Sequence, residues 1–498
     1  MGEREPVRPI NRIFNIVNRH SPILIQTPWP QHIGNCAEEI RYGVLKAQRE
    51  GKRTLLVVHR HELFGRFRMR IANRELFLLE SEDLYPTNSV LGWFGGWLLT
   101  GVLGLIRPWI LLGRSEKLRR AMRRLVPWKR APQGPRSIGV PTLPTIGLSR
   151  LWQTDGTNTF SWDVARALDW SGQYARYRPP RLADSKRRSA ERLRVEMGIP
   201  LSDWFVALHV REAGDHEPDT VNYRNSSIGN YLDAIRVITE AGGWVVRLGD
   251  PSMTRLPEMA RVVDYAHSRW KSGLMDLYLI SECRFYFGTT SGPLEAALLL
   301  GRPTLTVNAT ELSIWGPMRP ADLGILKHVY SPRLRRVLSV RELVEEPFES
   351  QSIDTLADSH GYQLIENSRD EIRDVLEEFM RTDRGPLSDL QLAFNAARSR
   401  AIRRWLDSGE LIGFVDGEDE ITEKYRLASV ADARGSLGRK YLEQNWDTVP
   451  GWLTELPLAT PAAASGSSEK PRMETAGPEG SLPRQMANVF RQPEITIG

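Results

Sequence analysis

The sequence predicts an α/β protein of two parallel-sheet lobes with a cleft between them, and three observations support this. Its 498 residues exceed one small module and suit two or three domains at roughly 100 to 200 residues each. A strand, loop, helix, strand order runs from Pro22 to Val58. A second series of short apolar runs, separated by helix-like stretches, runs from Phe205 to Val307. Such alternation is what a parallel sheet with crossover helices requires. With 41% hydrophobic and 26% charged residues, the composition excludes a wholly disordered or collagen-like chain.

The elements follow in order. Ile23-Leu24-Ile25 is a short apolar strand, a proline-rich loop comes next, and Ala37 to Arg49 is amphipathic at helical spacing before the strand Leu55 to Val58. The loop Gln31 to Asn35 thus falls at the carboxyl end of the first strand, where open parallel sheets bind ligands. Gly34 in it reads either as part of such a ligand loop or as a tight turn before the helix. Helical patterning dominates from Trp162 to Gly198, and Gly198-Ile199-Pro200 marks a helix stop and a domain boundary. Beyond it, Phe205 to Val210, Trp244 to Leu248, Arg284 to Gly288 and Pro303 to Val307 are strands. Ile228 to Ala241, Met275 to Glu282 and Pro293 to Leu300 are the helices among them. The expected units are an N-terminal lobe at 12–180, a C-terminal lobe at 200–385, a helical segment at 386–456, and a disordered tail at 457–498 rich in Pro, Ala, Gly and Ser.

One stretch, 84–150, breaks the pattern. Leu84 to Ile106 carries no charge, and 91–106 reads LGWFGGWLLTGVLGLI. Its apolar part is too brief and too rich in glycine for a spanning helix, which needs about 20 strongly apolar residues. From Arg107 to Arg150 there are then eleven Lys or Arg residues against one acidic residue, Glu116. An apolar wedge holding Trp93, Phe94, Trp97 and Trp109 beside a basic segment suits attachment of residues 90–130 to an anionic leaflet. An internal helical hairpin with a solvated basic face is the alternative.

Two constellations carry chemistry. His209 and Arg211 stand two residues apart at the end of a buried strand, so they share a face. An Arg fork at the carboxyl edge of a parallel sheet suits bidentate capture of a phosphate, and its charge would offset that of a departing diphosphate. The alternative is an Arg paired with one of the carboxylates in the loop that follows, Asp215, Glu217 or Asp219. The second constellation is Thr289-Thr290-Ser291-Gly292-Pro293, which follows a strand and places Pro at a first helical position. Helix-start N–H groups, the positive dipole end and three hydroxyls would face an anion there. Between them, Trp244 to Leu248 ends in Gly249-Asp250, where Asp250 either forms the turn or accepts hydrogen bonds from a base or ribose.

The runs HVREAGDHEPDTVNYRNSSIGNYLDAI, GGWVVRLGDPSM and VVDYAHSRWKSGLMDLYLISECRFYFGTTSG resemble bacterial glycosyltransferases of surface-polysaccharide loci. More distantly they are similar to the α1,6-fucosyltransferases and protein O-fucosyltransferases, whose first motif is His-x-Arg. The resemblance spans roughly residues 200 to 310. It implies a GT-B-like fold of two Rossmann-like lobes and an inverting, metal-independent transfer of a sugar from a nucleotide diphosphate to a glycan or lipid-linked acceptor. It also implies a donor-binding set of His209, Arg247, Asp250, Thr289, Thr290, Ser291, Gly292 and Glu295. Arg211 would meet the donor β-phosphate, and His32, Gly34 and Asn35 would face the acceptor. A general base is needed for the acceptor hydroxyl, and Glu212, Asp215, Glu217 and Asp219 are the carboxylates nearest Arg211, with Asp215 and Asp219 where a loop would overhang the cleft. Where the fucosyltransferases carry a second Arg after the first, this chain has Glu212, a departure that bears on the GDP-fucose assignment.

Only Cys36 and Cys283 are present, so neither a disulfide framework nor a cysteine-rich zinc site is available, and a reducing compartment fits. Met1 to Asn11 is polar with no apolar stretch behind it, which argues against a secretory signal. A cytoplasmic protein, peripheral on the inner membrane face, is expected. The 67 basic against 61 acidic residues leave a formal charge of +6, a mild preference for phosphate-bearing partners. No cofactor is implied, the nucleotide sugar, a GDP-sugar among the options, being a substrate. Two other classes compete. A nucleic-acid-binding scaffold would use the basic segment, although no nucleic-acid motif is present and nucleic acid is not expected as a partner. A catalytically idle homologue would bind a nucleotide sugar without turning it over.

Overall fold

The computed structural model describes residues 21–26, 28, 32–56, 71–98, 177–212, 223–310, 317, 319–345, 361–408 and 433–454. Met1–Leu456 is one compact unit and Pro457–Gly498 a second. The second unit, which holds the expected disordered tail, lies outside the described residues.

At the N-terminal end, β1 (Ile23–Gln26), β2 (Arg53–Leu56) and β3 (Leu84–Tyr85) form a parallel sheet in the order β1-β2-β3. Helix α1 (Ile33–Glu50) connects the first two strands and ends on Gly51 at φ 63°, the left-handed conformation that glycine adopts freely at helix ends. Helix α1 begins four residues before the amphipathic stretch read from the sequence, so Gly34 and Asn35 are helical rather than part of a loop or turn.

Helix α2 (Asp184–Glu196) leads into the main sheet. This sheet takes in β4 (Phe205–His209), β5 (Trp244–Arg247), β6 (Val262–Val263), β7 (Tyr286–Gly288), β8 (Thr304–Ala309) and β9 (Leu323–Leu326). Helices α3 (Leu232–Glu240), α4 (Gly273–Glu282) and α5 (Gly292–Leu299) lie between these strands. An antiparallel ribbon follows, formed by β10 (His328–Ser331), β11 (Arg336–Val337) and β12 (Gln363–Ile365), with α6 (Val340–Glu345) between the last two. Helices α7 (Arg369–Met380) and α8 (Asp389–Ser408) come next, then β13 (Ser436–Leu437), α9 (Arg439–Asn445) and α10 (Gly451–Thr454).

The seven-stranded sheet has the order β13-β9-β8-β7-β4-β5-β6 and is parallel throughout. From β4 the chain builds outward first through β5 and β6, then returns to add β7, β8 and β9 on the other side. This is the doubly wound order of a Rossmann-like sheet, with its topological switch point between β4 and β7. Every residue of β4 and of β8 is buried, as expected when helices cover both faces. On β4 the faces alternate: Val206 and Leu208 pack with α3, α7 and α8, while Phe205 and Ala207 pack with α4 and α5. That second core also contains Cys36, Ala37, Ile40 and Val44 of α1 and Leu56 of β2. The small sheet is therefore joined to the large one through a continuous apolar core.

The span 386–456, read as helical, contributes more than helices. Its β13 extends the large sheet beside β9, and Phe394, Leu437, Tyr441 and Leu442 enter the same core as α3.

Candidate functional site at the switch point

The carboxyl end of β4 and the segment after β7 meet, as their spacing suggested. His209 pairs with Gly288 in register, and the Thr289 N–H donates to the His209 carbonyl at 3.0 Å. Gly288, at φ 150°, allows this approach: a Cβ there would lie 1.9 Å from the His209 carbonyl oxygen. The Arg211 N–H donates to Thr289 Oγ1 at 2.9 Å, and Ser291 Oγ lies 3.0 Å from His209 Nδ1. Ser291 Oγ also lies 3.0 Å from the Tyr286 hydroxyl, which donates to the Thr289 carbonyl at 3.0 Å. Tyr286 was read only as part of an apolar strand. Its signal was a phenol in an otherwise apolar run, because a buried Tyr hydroxyl needs a partner.

Burial sets the protonation states here. His209 is pushed down to about 3, first by burial and then by the nearby charges of Arg247 and Arg211, so it is neutral at physiological pH. Burial also raises the Tyr286 phenol above its ordinary value, which keeps its proton in place. These neutral groups tie the 289–291 turn to β4 and fix where its remaining polar groups point.

One of those groups is left over. The Thr290 side chain is fully buried, yet its Oγ1 has no hydrogen-bond partner. A buried hydroxyl without a partner costs roughly 1 to 3 kcal/mol, so its presence needs a reason. Ser291 stands at the N-cap of α5 but does not cap it, its hydroxyl being directed to His209 and Tyr286. Helix α1 likewise starts at His32 without a side-chain cap and without an acidic residue in its first turn.

The two helix starts lie against each other. A Cβ on Gly34 would come 2.8 Å from Gly292 Cα, and one on Gly292 would come 2.6 Å from Ile33 Cγ2. Only glycine permits so close an approach from both sides. Further along, Arg41 of α1 pairs with Glu295 of α5 at 2.8 Å, with both side chains buried. Contact at the two first turns, followed by this pair one to two turns on, sets the helices side by side and running the same way. Their positive dipole ends therefore face one region. Glu295, which would oppose an anion there, has its charge met by Arg41.

Several residues expected to touch the donor are occupied elsewhere. Arg247 is fully buried and donates to Asp264 at 3.1 Å, to the Thr254 carbonyl at 3.0 Å and to Glu212 at 3.5 Å. Its position on the strand brought carboxylates within reach that the sequence order did not reveal. Glu212 is held by Arg247 and by the Thr254 N–H at 2.6 Å, so it is positioned as a structural acceptor rather than as a base. Asp250 takes the turn reading: Oδ1 accepts from the Ser252 N–H at 2.9 Å and from its hydroxyl. Glu295 is committed to Arg41. Gly34 serves helix packing rather than an acceptor-facing loop, while His32 is exposed just before α1 and Asn35 lies in its first turn. Arg211 is half-buried just past β4, and Gly292 stands at the α5 start. Asp215, Glu217 and Asp219, and the basic run from Arg107 to Arg150, lie outside the described residues. Among the described residues no group of three or more His, Cys, Asp or Glu side chains could hold a metal ion. None of their helices is long and apolar enough to cross a membrane.

Neither a protein-family model nor a curated protein matches the chain. Among solved structures it is similar to a glycosyl transferase of family 9 from Veillonella parvula, at 12% identity and a TM-score of 0.27 over 57% of this chain and 79% of that one. It is also similar to the ADP-heptose LPS heptosyltransferase II of E. coli, at 11% identity and a TM-score of 0.28 over 57% and 83%. A third is E. coli heptosyltransferase WaaC with ADP-2-deoxy-2-fluoro heptose, at 10% identity and a TM-score of 0.22 over 57% and 87%. Likenesses this loose bear no weight, and the chain's chemistry rests on its own residues.

Proposed function

We propose that the chain is a glycosyltransferase that binds the diphosphate of a nucleotide-sugar donor where α1 and α5 begin. The observation that carries this is the buried, unpartnered Thr290 hydroxyl beside two uncapped helix starts at the switch point of a doubly wound sheet. An anion with several oxygens meets the helix-start N–H groups and neutralises the converging dipoles, and once the enclosed Thr290 hydroxyl is opened to the site it accepts from that group as well. Arg211, tied through its backbone to Thr289, supplies a full positive charge at the same edge. On this reading the charge that builds on the leaving diphosphate is met by Arg211 and the helix starts, with no metal in the step. Neutral His209 holds Ser291 and thereby the turn.

The acceptor hydroxyl, of a glycan or a lipid-linked saccharide at the cytoplasmic membrane face, attacks the anomeric carbon in one displacement with inversion. Its proton passes to a carboxylate, and with Glu212 held by Arg247 the candidates are Asp215 and Asp219. The His209-x-Arg211 spacing makes a GDP-sugar the first donor to try.

Thermal unfolding in the presence of GDP, UDP, ADP, dTDP and CDP tests the site. A diphosphate at 100 times its dissociation constant adds about 2.7 kcal/mol of stability. The expected result is stabilisation by at least one diphosphate, lost in Arg211→Ala. No stabilisation by any of them would remove the reading, and binding without sugar transfer from any donor would make the chain an idle homologue.

A further inference from the structure

We infer that residues 90–98 form a membrane-docking helix that seats its aromatic face in an anionic lipid leaflet. Packing fixes which side of the helix is inside. Gly92 and Gly96 are buried, and a Cβ on Gly92 would lie 2.4 Å from the Pro86 carbonyl oxygen and 2.7 Å from Thr87 Cα. The bulky residues point the other way: Val90 is 85% exposed, Phe94 63%, Leu98 60% and Trp93 53%, with Leu91 and Trp97 also exposed. Positions 90, 91, 94, 97 and 98 make one helical stripe. An ordinary surface helix buries such a stripe and shows its small or polar side to water. Here the glycine side is pressed against the protein and the apolar stripe is outward.

The helix is held firmly in that orientation. Ser89 donates from its N–H and its hydroxyl to the Pro86 carbonyl, at 2.9 and 2.6 Å, and its Oγ accepts from the Gly92 N–H at 3.1 Å. Thr87 anchors the preceding turn through two hydrogen bonds to the Phe77 carbonyl, at 3.0 and 3.1 Å. Trp93 and Trp97 meet edge to face with centroids 6.0 Å apart.

The chemistry of the partner follows from two facts together. The stripe is apolar with two indoles, side chains that favour the headgroup boundary of a bilayer. Immediately after it in sequence, 107–136 carries ten Lys or Arg residues against one acidic residue, Glu116. A protein partner accounts for an apolar face but not for charge of one sign next to it in sequence, and a nucleic acid accounts for the charge but not for an aliphatic and aromatic stripe. An anionic leaflet accounts for both. No helix among the described residues is long and apolar enough to cross a membrane, and a stripe exposed on a helix packed against the protein through Gly92 suits seating in the interface. This inference does not depend on the transferase reading.

Flotation of the full chain with vesicles of mixed phosphatidylglycerol and phosphatidylcholine, and of phosphatidylcholine alone, tests it. The wild type should float with the anionic vesicles and less so with the neutral ones. The triple substitution Trp93→Ser, Phe94→Ser and Trp97→Ser should lower partitioning by at least about tenfold, with melting and diphosphate binding unchanged. Arg119→Ser, Arg120→Ser, Arg123→Ser and Arg124→Ser together should abolish the preference for anionic lipid. Failure of the wild type to float, or equal flotation of the aromatic variant, would overturn the inference. So would sedimentation showing a wild-type dimer that the aromatic variant turns into a monomer without loss of flotation.

Discussion

Arg247 closes β5 and Arg211 follows β4, on strands that pair directly, with Arg247 level with Leu208. Both were read as donor-binding positions at one sheet edge. Arg247 has no exposed surface, and Asp264, Glu212 and the Thr254 carbonyl take up its guanidinium. Arg211 is half-buried two residues past the strand end, where its backbone is fastened to the Thr289 turn. The difference goes with depth along the strand. Level with the last strand residues, Arg247 is enclosed by loops that bring carboxylates to it, whereas Arg211 lies past the strand end and stays partly exposed.

Substituting each arginine separates the two roles. Arg211→Ala is expected to lower sugar transfer by about 10² to 10³-fold, the cost of removing one preorganised charge from a transition state, with a smaller loss of stability than the loss of Arg247 brings. Arg247→Met should do the reverse. It strands Asp264 and Glu212 without their shared cation and should lower stability by roughly 3 kcal/mol, with the folded protein still binding diphosphate. Matching losses of stability in both variants would erase the distinction.

Charge from both arginines reaches His209, and its pH response sharpens the comparison. An exposed His in the unfolded chain titrates near 6.5, while His209 in the folded chain is pushed down to about 3. Between those values the unfolded state binds a proton that the folded state refuses, so stability falls as pH drops below about 6.5. From pH 7 to pH 5 the loss should be roughly 2 kcal/mol. Denaturant unfolding at the two pH values should show that loss in the wild type and not in His209→Asn. The same pH slope in both would place the neutral group elsewhere.

The glycine contact gives a test of sign. Inside a helix, Gly→Ala ordinarily stabilises by about 0.5 to 1 kcal/mol. Gly34→Ala should instead destabilise by roughly 1 to 2 kcal/mol, because its Cβ would meet the Gly292 backbone at 2.8 Å, and it should weaken diphosphate binding by parting the helix starts. A stabilised Gly34→Ala would mean that the helices do not touch.

Much of this frame is legible in the residues. β4, β7 and β8 are buried along their whole length, so they read as apolar runs. The pairs β3, β6, β11 and β13 are two residues long, and a pattern that short has no period to detect. His209, Arg211 and Thr289 to Ser291 could be found because strand alternation and the hydroxyl run before Pro293 are local signals. Partners set by distant packing could not. Glu295 looks like a first-turn carboxylate near a ligand until α1 brings Arg41, 254 positions away, against it. Gly34 looks like a turn because its reason for being glycine is Gly292. The exposed stripe at 90–98 was visible as an uncharged run, but its direction was not, since only the packing of Gly92 on Pro86 and Thr87 turns the aromatic side outward.

The smallest expected effect is the most discriminating one. Thr290→Val replaces the hydroxyl with a methyl of nearly the same size. Because Oγ1 has no partner in the protein, nothing internal is lost, and stability should hold or rise slightly as an unsatisfied buried group is removed. If the hydroxyl serves a bound diphosphate, affinity should fall by about tenfold, one hydrogen bond to a charged group. Unfolding and calorimetric titration of the same variant read the two quantities separately. Ser291→Ala is the control, since Ser291 Oγ has His209 and Tyr286 as neighbours and its removal should cost stability first. Unchanged affinity in Thr290→Val would leave the two helix starts without an anion to explain them.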